Sequence, residues 1–343
     1  MSQSSTHGGQ RHHQPGRPAT NPAGRALSPI PAHQRRIVAL GGGHGLSATL
    51  SALRLLTDNV TAIATVADDG GSSGRLRRDF DVLPPGDLRM ALAALCDDSE
   101  WGHTWRDVLQ HRFAGEGDLR GHALGNLMIV SLWELLGDTV DGLDLVGRLL
   151  GVHGRVLPMA AEPLEIVAEV AGHDPAHPDE VVEVRGQHLV ASSPGRVLSI
   201  GIVPTCPRPC TEALEAVADA DWVVLGPGSW FTSVMPHLLV PDLADALGDT
   251  GAQRLLALNL EIDRDETRDF RAEDHLASLA ANAPELRIDV VLADPSVVLD
   301  AASLRSAAED LGAELVVTPV AVPGNPAVHD PLRLAAAFRD VIG

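Results

Sequence analysis

The sequence predicts an α/β fold built on a mostly parallel sheet, and three observations carry that prediction. Short apolar runs rich in Val, Ile and Leu recur along the chain and alternate with helix-length segments, as in a sheet covered on both faces. Three of these runs break abruptly into glycine-rich or acidic turns, after Leu40, Ala67 and Leu225. No apolar run reaches the roughly 18 residues that would mark a membrane-spanning helix. In open parallel sheets ligands bind beyond the carboxyl ends of the strands, so function is expected at those three breaks.

The elements follow in order. Arg36–Leu40 reads as the first strand, and a helix from Leu46 to Leu56 puts Leu46, Leu50 and Leu53 on one face. Val60–Ala67 is the second strand and a polar loop follows it. Pro84-Pro85-Gly86-Asp87 then starts a helix through Cys96, with Asp87 in the first turn, where a carboxylate is favoured. Residues 101–150 read as a helical segment, with helices over 103–113, 122–136 and 139–150. Between about 155 and 203 the period shortens, and Leu164–Val170, Val181–Arg185 and Val197–Val203 suggest a small β-rich insertion. Alternation then resumes. Thr211–Ala218 is a helix, Trp222–Leu225 a strand, Arg254–Asn259 a strand and 271–281 a helix. Ile288–Leu292 is a strand, 301–310 a helix, Glu314–Pro319 a strand and 331–341 the last helix.

A chain of 343 residues can hold one large or two medium domains. Residues 1–34 are rich in Pro, Gly, Ser, Gln and His and lack acids and apolar stretches. They cannot repay the entropy of ordering and are expected to form a disordered tail ahead of one domain over 35–343. Residues 1–36 hold five of the 26 basic residues and none of the 46 acids, so the rest carries 21 against 46, a net of −25. So acidic a body, with aromatics at only 3%, argues against nucleic-acid binding. All 26 basic residues are arginine. This excludes a Walker-type phosphate lysine and any Schiff-base chemistry; phosphate must be met by backbone amides, arginine or a metal. Cys96, Cys206 and Cys210 form neither a disulfide scaffold nor a zinc knuckle, and a cytoplasmic location is expected.

Gly41-Gly42-Gly43-His44-Gly45 lacks the Gly-x-Gly-x-x-Gly spacing, because position 46 is leucine. Successive N–H groups at a strand-to-helix junction still make an anion seat; the bland alternative is a tight turn. His44 either donates to a phosphate or covers the turn. Asp68 and Asp69 follow the second strand, where acids accept from ribose hydroxyls or hold a divalent cation such as Mg²⁺; otherwise they are solvated loop acids. Ser72, Ser73 and Arg75 add donors. Asp87 and Arg89 are either site residues or a helix cap with an ion pair. His122 and Asn126 lie four apart on one helix face, reaching the cleft or sitting satisfied in the core. Gly226-Pro227-Gly228-Ser229, with Thr232, makes a second ligand edge, and Asn259 ends the next strand. Ser229 is no acyl-transfer nucleophile, since the Gly-x-Ser-x-Gly elbow is missing. Trp230 and Phe231 line a pocket or belong to the core, and His329-Asp330 precede the last helix.

Taken together, these phrases resemble one family. Ala-Asp-Asp-Gly-Gly-Ser-Ser-Gly-Arg-Leu-Arg followed by Pro-Pro-Gly-Asp-Leu-Arg is distinctive, and Gly41–Ser47, Gly121–Leu127, Gly154–Pro158, Gly226–Ser233 and Ala272–Leu276 fall in consistent order. The chain is similar, from about residue 36 to 341, to the gluconeogenesis factors, bacterial proteins related to the 2-phospho-L-lactate transferases of coenzyme F420 synthesis. The resemblance implies a Rossmann-like three-layer sandwich, a homodimer, and a site at Gly41–Gly45 and Asp68-Asp69 for nucleotide, phosphate and metal. It also implies UDP-sugar or NAD-like dinucleotide binding and a role in cell shape and cell-wall precursor control, exercised through regulatory protein partners. Phe270 stands where the family commonly has the tyrosine of the sugar-nucleotide site, and Val328 where it has an arginine. The loss of that arginine is expected to weaken or shift sugar-nucleotide affinity, because a charge-assisted hydrogen bond is roughly twice as strong as a neutral one.

The leading expectation is therefore a nucleotide- or UDP-sugar-binding regulator. The alternative is a Mg²⁺-dependent transferase that moves a phosphorylated group onto a hydroxyl acceptor, for which the sequence offers no evident general base. A dehydrogenase ranks below both, since the glycine spacing is wrong.

Overall fold

The computed structural model describes residues 31–174, 176–262 and 265–343. Its first elements are β1 (Ile37–Gly41), α1 (Gly43–Leu53), β2 (Val60–Ala64), α2 (Gly71–Phe80), α3 (Gly86–Leu95), α4 (Glu100–Gln110), α5 (Leu124–Leu136), α6 (Thr139–Leu150) and β3 (Arg155–Pro158). An excursion follows, made of β4 (Glu165–Ala171), β5 (Val181–Arg185), α7 (Gln187–Ala191) and β6 (Arg196–Val203). The chain returns through α8 (Thr211–Ala218), β7 (Trp222–Leu225), a π-helical turn at Trp230–Val234, α9 (Pro236–Leu239), α10 (Pro241–Asp249) and β8 (Gln253–Ala257). It closes with α11 (Ala272–Asn282), β9 (Val290–Ala293), α12 (Ala301–Asp310), β10 (Glu314–Val317), the hairpin β11 (Ala321–Val322) and β12 (Asn325–His329), and α13 (Pro331–Ile342).

Among the described residues, seven parallel strands form one sheet in the order β10-β9-β8-β7-β1-β2-β3. Every residue of β1, β7 and β9 is buried, which is what helices on both faces require. Leu46, Leu50 and Leu53 of α1 turn one apolar face onto this sheet, as their spacing predicts, and all three are buried. Capping fixes several helix starts: Ser99 accepts from Gly102 N at the head of α4, and Asp138 from Asp141 N at the head of α6. No helix among the described residues is long and apolar enough to cross a membrane.

The order of strands locates the site. From β1 the chain builds outward through β2 and β3; it then crosses to the other side of β1 and builds outward through β7, β8, β9 and β10. The direction reverses between β1 and β7, so a crevice opens at their carboxyl ends.

Several elements differ from the sequence expectation. The polar loop after β2 is largely helix α2, although Gly71, Ser72, Ser73 and Gly74 are poor helix formers. Close packing holds it: a Cβ on Gly74 would lie 1.9 Å from the Asp69 carbonyl oxygen. Helix α1 begins at Gly43, so part of the expected glycine turn is its first turn. Of the expected β-rich segment, Arg155–Pro158 joins the main sheet beside β2, and the separate antiparallel sheet β5-β4-β6 starts at Glu165. Most of the expected disordered tail, residues 1–30, lies outside the described residues. The chain just after it is fastened down, because Thr57 Oγ1 donates to the His33 and Arg35 carbonyls.

Candidate functional site

The first and third turns meet at the crevice. Gly45 lies so close to the third turn that a Cβ there would stand 2.0 Å from the Pro227 carbonyl oxygen, so only glycine fits. Thr49 Oγ1 of α1 donates to the Gly226 carbonyl at 3.0 Å and ties the same two pieces together. Beyond this joint lies a cleft of about 570 Å³ lined by Gly42, Gly43, His44, Gly45, Gly228, Ser229 and Asn259, all of them residues the sequence singles out. It is also lined by Ser47, Ser51, Ser233, Glu261, Val328 and His329. Gly41 ends β1 and is buried; Gly226 is buried at the end of β7; Thr232 is buried and offers its carbonyl to Gln187 Nε2 at 2.9 Å.

The second turn builds the wall beside this cleft. Gly43 N donates to Asp87 Oδ1 at 2.9 Å, linking the first turn of α1 to the head of α3. Asp68 lies beside the residue before Asp87, since a Cβ on Gly86 would stand 2.8 Å from Asp68 Oδ2. Burial first, then the charge of Asp68, pushes the Asp87 carboxyl up to about 7, against the stabilising pull of the Gly43 N–H and of Arg89. Asp69 turns the other way. Its Oδ1 accepts from His188 N at 3.0 Å, and its Oδ2 lies where a Cβ on Gly186 would stand 2.1 Å away. The expected metal pair Asp68-Asp69 thus diverges, because adjacent side chains at this turn serve two different neighbours. The carboxylates whose charges meet are Asp68 and Asp87. Among the described residues no group of three or more His, Cys, Asp or Glu side chains is arranged to hold a metal ion.

His122 and Asn126 reach this wall through Ser72. Arg89 Nε donates to Asn126 Oδ1 at 2.8 Å, Asn126 Nδ2 donates to Ser72 Oγ at 3.0 Å, and Ala123 N donates to the same oxygen at 3.3 Å. A serine hydroxyl has two acceptor sites and one proton, so its proton goes to His122 Nδ1, 3.1 Å away. His122 is then neutral with its own proton on Nε2, and burial together with Arg75 holds its pKa below the ordinary histidine value. Ser73 is buried against Gly86. Arg75 does not aim at an anion: its guanidinium donates to the Asp118 and Arg120 carbonyls at 3.3 and 2.8 Å and braces the loop before α5.

Phe270 departs furthest from the sequence expectation. It packs edge-on against Phe231 and His275, at ring distances of 5.9 and 5.3 Å, and lines a separate cavity of about 430 Å³ with Arg196 and Arg268. The loop that carries it runs from β8 toward α11 and meets the third turn at Phe231, whose N–H donates to Glu266 Oε1 at 3.1 Å. Trp230 and Phe231 are both buried, Trp230 donating to Ser278 Oγ at 3.2 Å.

Three comparisons place the chain among known proteins. The family model described as 2-phospho-L-lactate transferase CofD matches residues 37–319. A Mycobacterium tuberculosis (strain H37Rv) protein named "Putative gluconeogenesis factor" is 53% identical over 308 residues, 89% of this chain and 90% of that protein. A Halalkalibacterium halodurans gluconeogenesis factor is 34% identical over 276 residues, 80% of this chain and 82% of that protein. The crystal structure of a Bacillus halodurans protein described as a member of the UPF0052 family superposes with a TM-score of 0.78 at 30% identity, covering 89% of this chain and 98% of that one.

Proposed function

The chain belongs to the CofD family, alongside members named gluconeogenesis factors, and from that membership we propose that it is a regulator that binds a nucleotide or UDP-sugar in the β1/β7 cleft. The observation that carries this reading is the joint between Gly45 and the Pro227 carbonyl, which brings two glycine turns to one cleft at the reversal point of the sheet. Backbone N–H groups at the head of α1 suit a phosphate, and in a chain without lysine such groups stand with arginine and a bound metal as the means of meeting one. Coupling of carbon supply to cell-wall precursor synthesis, a homodimer, regulatory protein partners and a cytoplasmic location belong to the same proposal. Calorimetry with UDP-N-acetylglucosamine, against the free sugar and bare UDP, tests it. Saturable binding that depends on the diphosphate is expected; no diphosphate-dependent heat at millimolar ligand overturns it.

A second reading, a Mg²⁺-dependent transferase of the kind the family model describes, is favoured by one observation. Asp68 and Asp87 lie beside the first glycine turn, and the Asp68 charge raises the cost of ionising Asp87. These two carboxylates, with Asp69 committed elsewhere, would hold the cation, which when bound would neutralise phosphate charge. Asp87 would hold the Gly43 amide in place from the same oxygen pair. A Mg²⁺-dependent product abolished by Asp68→Asn would favour this reading over the regulator.

A further inference from the structure

Strand β10 closes one end of the seven-stranded sheet and pairs only with β9. Its register decides which backbone groups are used. Glu314 N donates to the Asp289 carbonyl and Thr318 N to the Ala293 carbonyl, so in this parallel ladder residues 314, 316 and 318 face β9. Leu315 and Val317 turn their N–H and C=O groups outward, where none of the described residues bonds them. The side chains along this edge are apolar. Leu315 and Val316 are half-buried, Val317 is 42% exposed, and no charge occurs from Leu315 to Pro319. Other sheet edges carry the devices that discourage pairing. At the far end of the main sheet β3 ends in Pro158 and packs against α6 and α8, and β5 exposes Glu183 and Arg185. The Leu315–Val317 stretch has none of them.

We propose that β10 is the edge along which two copies of the chain join, antiparallel about a two-fold axis at Val316, into one continuous sheet. This rests on the homodimer of the reading above and says where its halves meet. The occupant is a second copy because the strand is complementary to itself. An axis at Val316 sets Leu315 against Val317, Val316 against Val316 and Glu314 against Thr318, so no like charges stand opposite each other. Leu315 and Val317 then exchange both N–H···O=C bonds across the axis, and their outward groups are satisfied on both copies. Charge favours the same place. Each copy carries a net −20, so two of them repel least where the contact is free of charge. Strands β8 and β9 separate β10 from the β1/β7 crevice, and both clefts stay open.

Sedimentation velocity and disulfide cross-linking of the full chain test this. Val317→Pro removes an outward N–H and leaves the bonds to β9 in place, as proline on an edge strand allows. The unaltered protein should sediment as two chains, and Val317→Pro should dissociate about tenfold or more readily. Both should bind UDP-N-acetylglucosamine alike by calorimetry. In a Cys206→Ser background Cys96 and Cys210 are buried. There Val316→Cys should form a disulfide with its partner copy, since Cα atoms of a non-hydrogen-bonded antiparallel pair stand about 4.5 Å apart. Glu183→Cys, on the charged edge of β5, should not cross-link. A Val317→Pro protein as dimeric as the parent overturns the proposal, and so does Val316→Cys that cross-links no better than Glu183→Cys. A monomeric parent overturns it together with the homodimer, while the nucleotide reading stands or falls by calorimetry alone. If that monomer protects the Leu315 and Val317 amides from hydrogen exchange, another segment of the chain covers the edge. Should Val317→Pro not fold, the cross-linking comparison decides.

Discussion

The Asp69 carboxylate accepts a hydrogen bond from the His188 backbone N–H at 3.0 Å, across 119 residues of sequence. One acid of the second turn thereby clamps the start of α7 and, with it, the three-stranded sheet over residues 165–203. A second clamp, Gln187 Nε2 on the Thr232 carbonyl, joins the same short helix to the third turn. Asp69→Ala should cost about 1–2 kcal/mol and loosen this unit without unfolding the main sheet. Hydrogen exchange checks it: the amides of residues 186–190 should exchange faster while those of β1 and β7 do not. Unchanged exchange at 186–190 would mean that the clamp holds nothing.

Gly45→Ala should be far more damaging than its size suggests. The added methyl would stand 2.0 Å from the Pro227 carbonyl, a backbone atom that cannot swing aside as a side chain can. Overpacking of this kind costs about 1–3 kcal/mol or more. Thermal melts should show the loss, and calorimetry should show no ligand binding even in the fraction that folds.

Ser72→Ala removes the oxygen that Asn126, Ala123 and His122 share. It leaves buried polar groups without partners, at about 1–3 kcal/mol for each group not rescued by water. Denaturant unfolding should register a loss larger than that of Ser131→Ala, whose hydroxyl merely bonds the Leu127 carbonyl on an exposed helix face.

Asp87 gives the stability a pH dependence of unusual sign. Its pKa is raised to about 7 in the folded protein from 3.8, so between those values the folded state holds the proton more tightly than the unfolded chain. The contribution is present below the lower value and is lost as pH rises through the upper one, by up to about 1.4 kcal/mol per pH unit. Asp87→Asn should abolish this loss, so that the variant gains on the parent as pH rises from 3.8 to about 7 in denaturant titrations. A parallel offset at all pH values would show that Asp87 does not titrate in that window.

His237 acts in the opposite direction. Burial lowers its pKa to about 4 while its Nε2 bonds the Ile63 carbonyl at 3.0 Å. Below about pH 6.5 the unfolded chain takes up the proton first, so stability falls with acidification until about pH 4. His237→Gln should flatten that acid limb.

The sequence carries much of the sheet and two of the three turns, because those features are local. An apolar run declares a buried strand, and four glycines in five residues declare a place where other backbone comes close; Gly45 and Pro227 supply the reason. What it does not carry is contact between distant residues. Nothing near Asp87 says that it will bond Gly43, 44 positions earlier, or that the Asp68 charge will act on it while Asp69 turns to the insertion. The hairpin β11–β12 has a two-residue first strand, too short for any periodicity to register. His329-Asp330 is visible before the last helix and Asp330 does cap it, accepting from Leu332 N and Arg333 N. That His329 lines the cleft depends on the hairpin alone. At Phe270 the position along the motif is readable, but its edge-on packing against Phe231 and His275 is not.

The joint between the two glycine turns bears on how fast a guest can arrive. Segments already locked to each other have no slack to take up on association, so entropy of ordering is settled during folding and not at the encounter. Capture should then run at a rate set by diffusion through an acidic protein's own repulsive field, and added salt should quicken the approach of an anion.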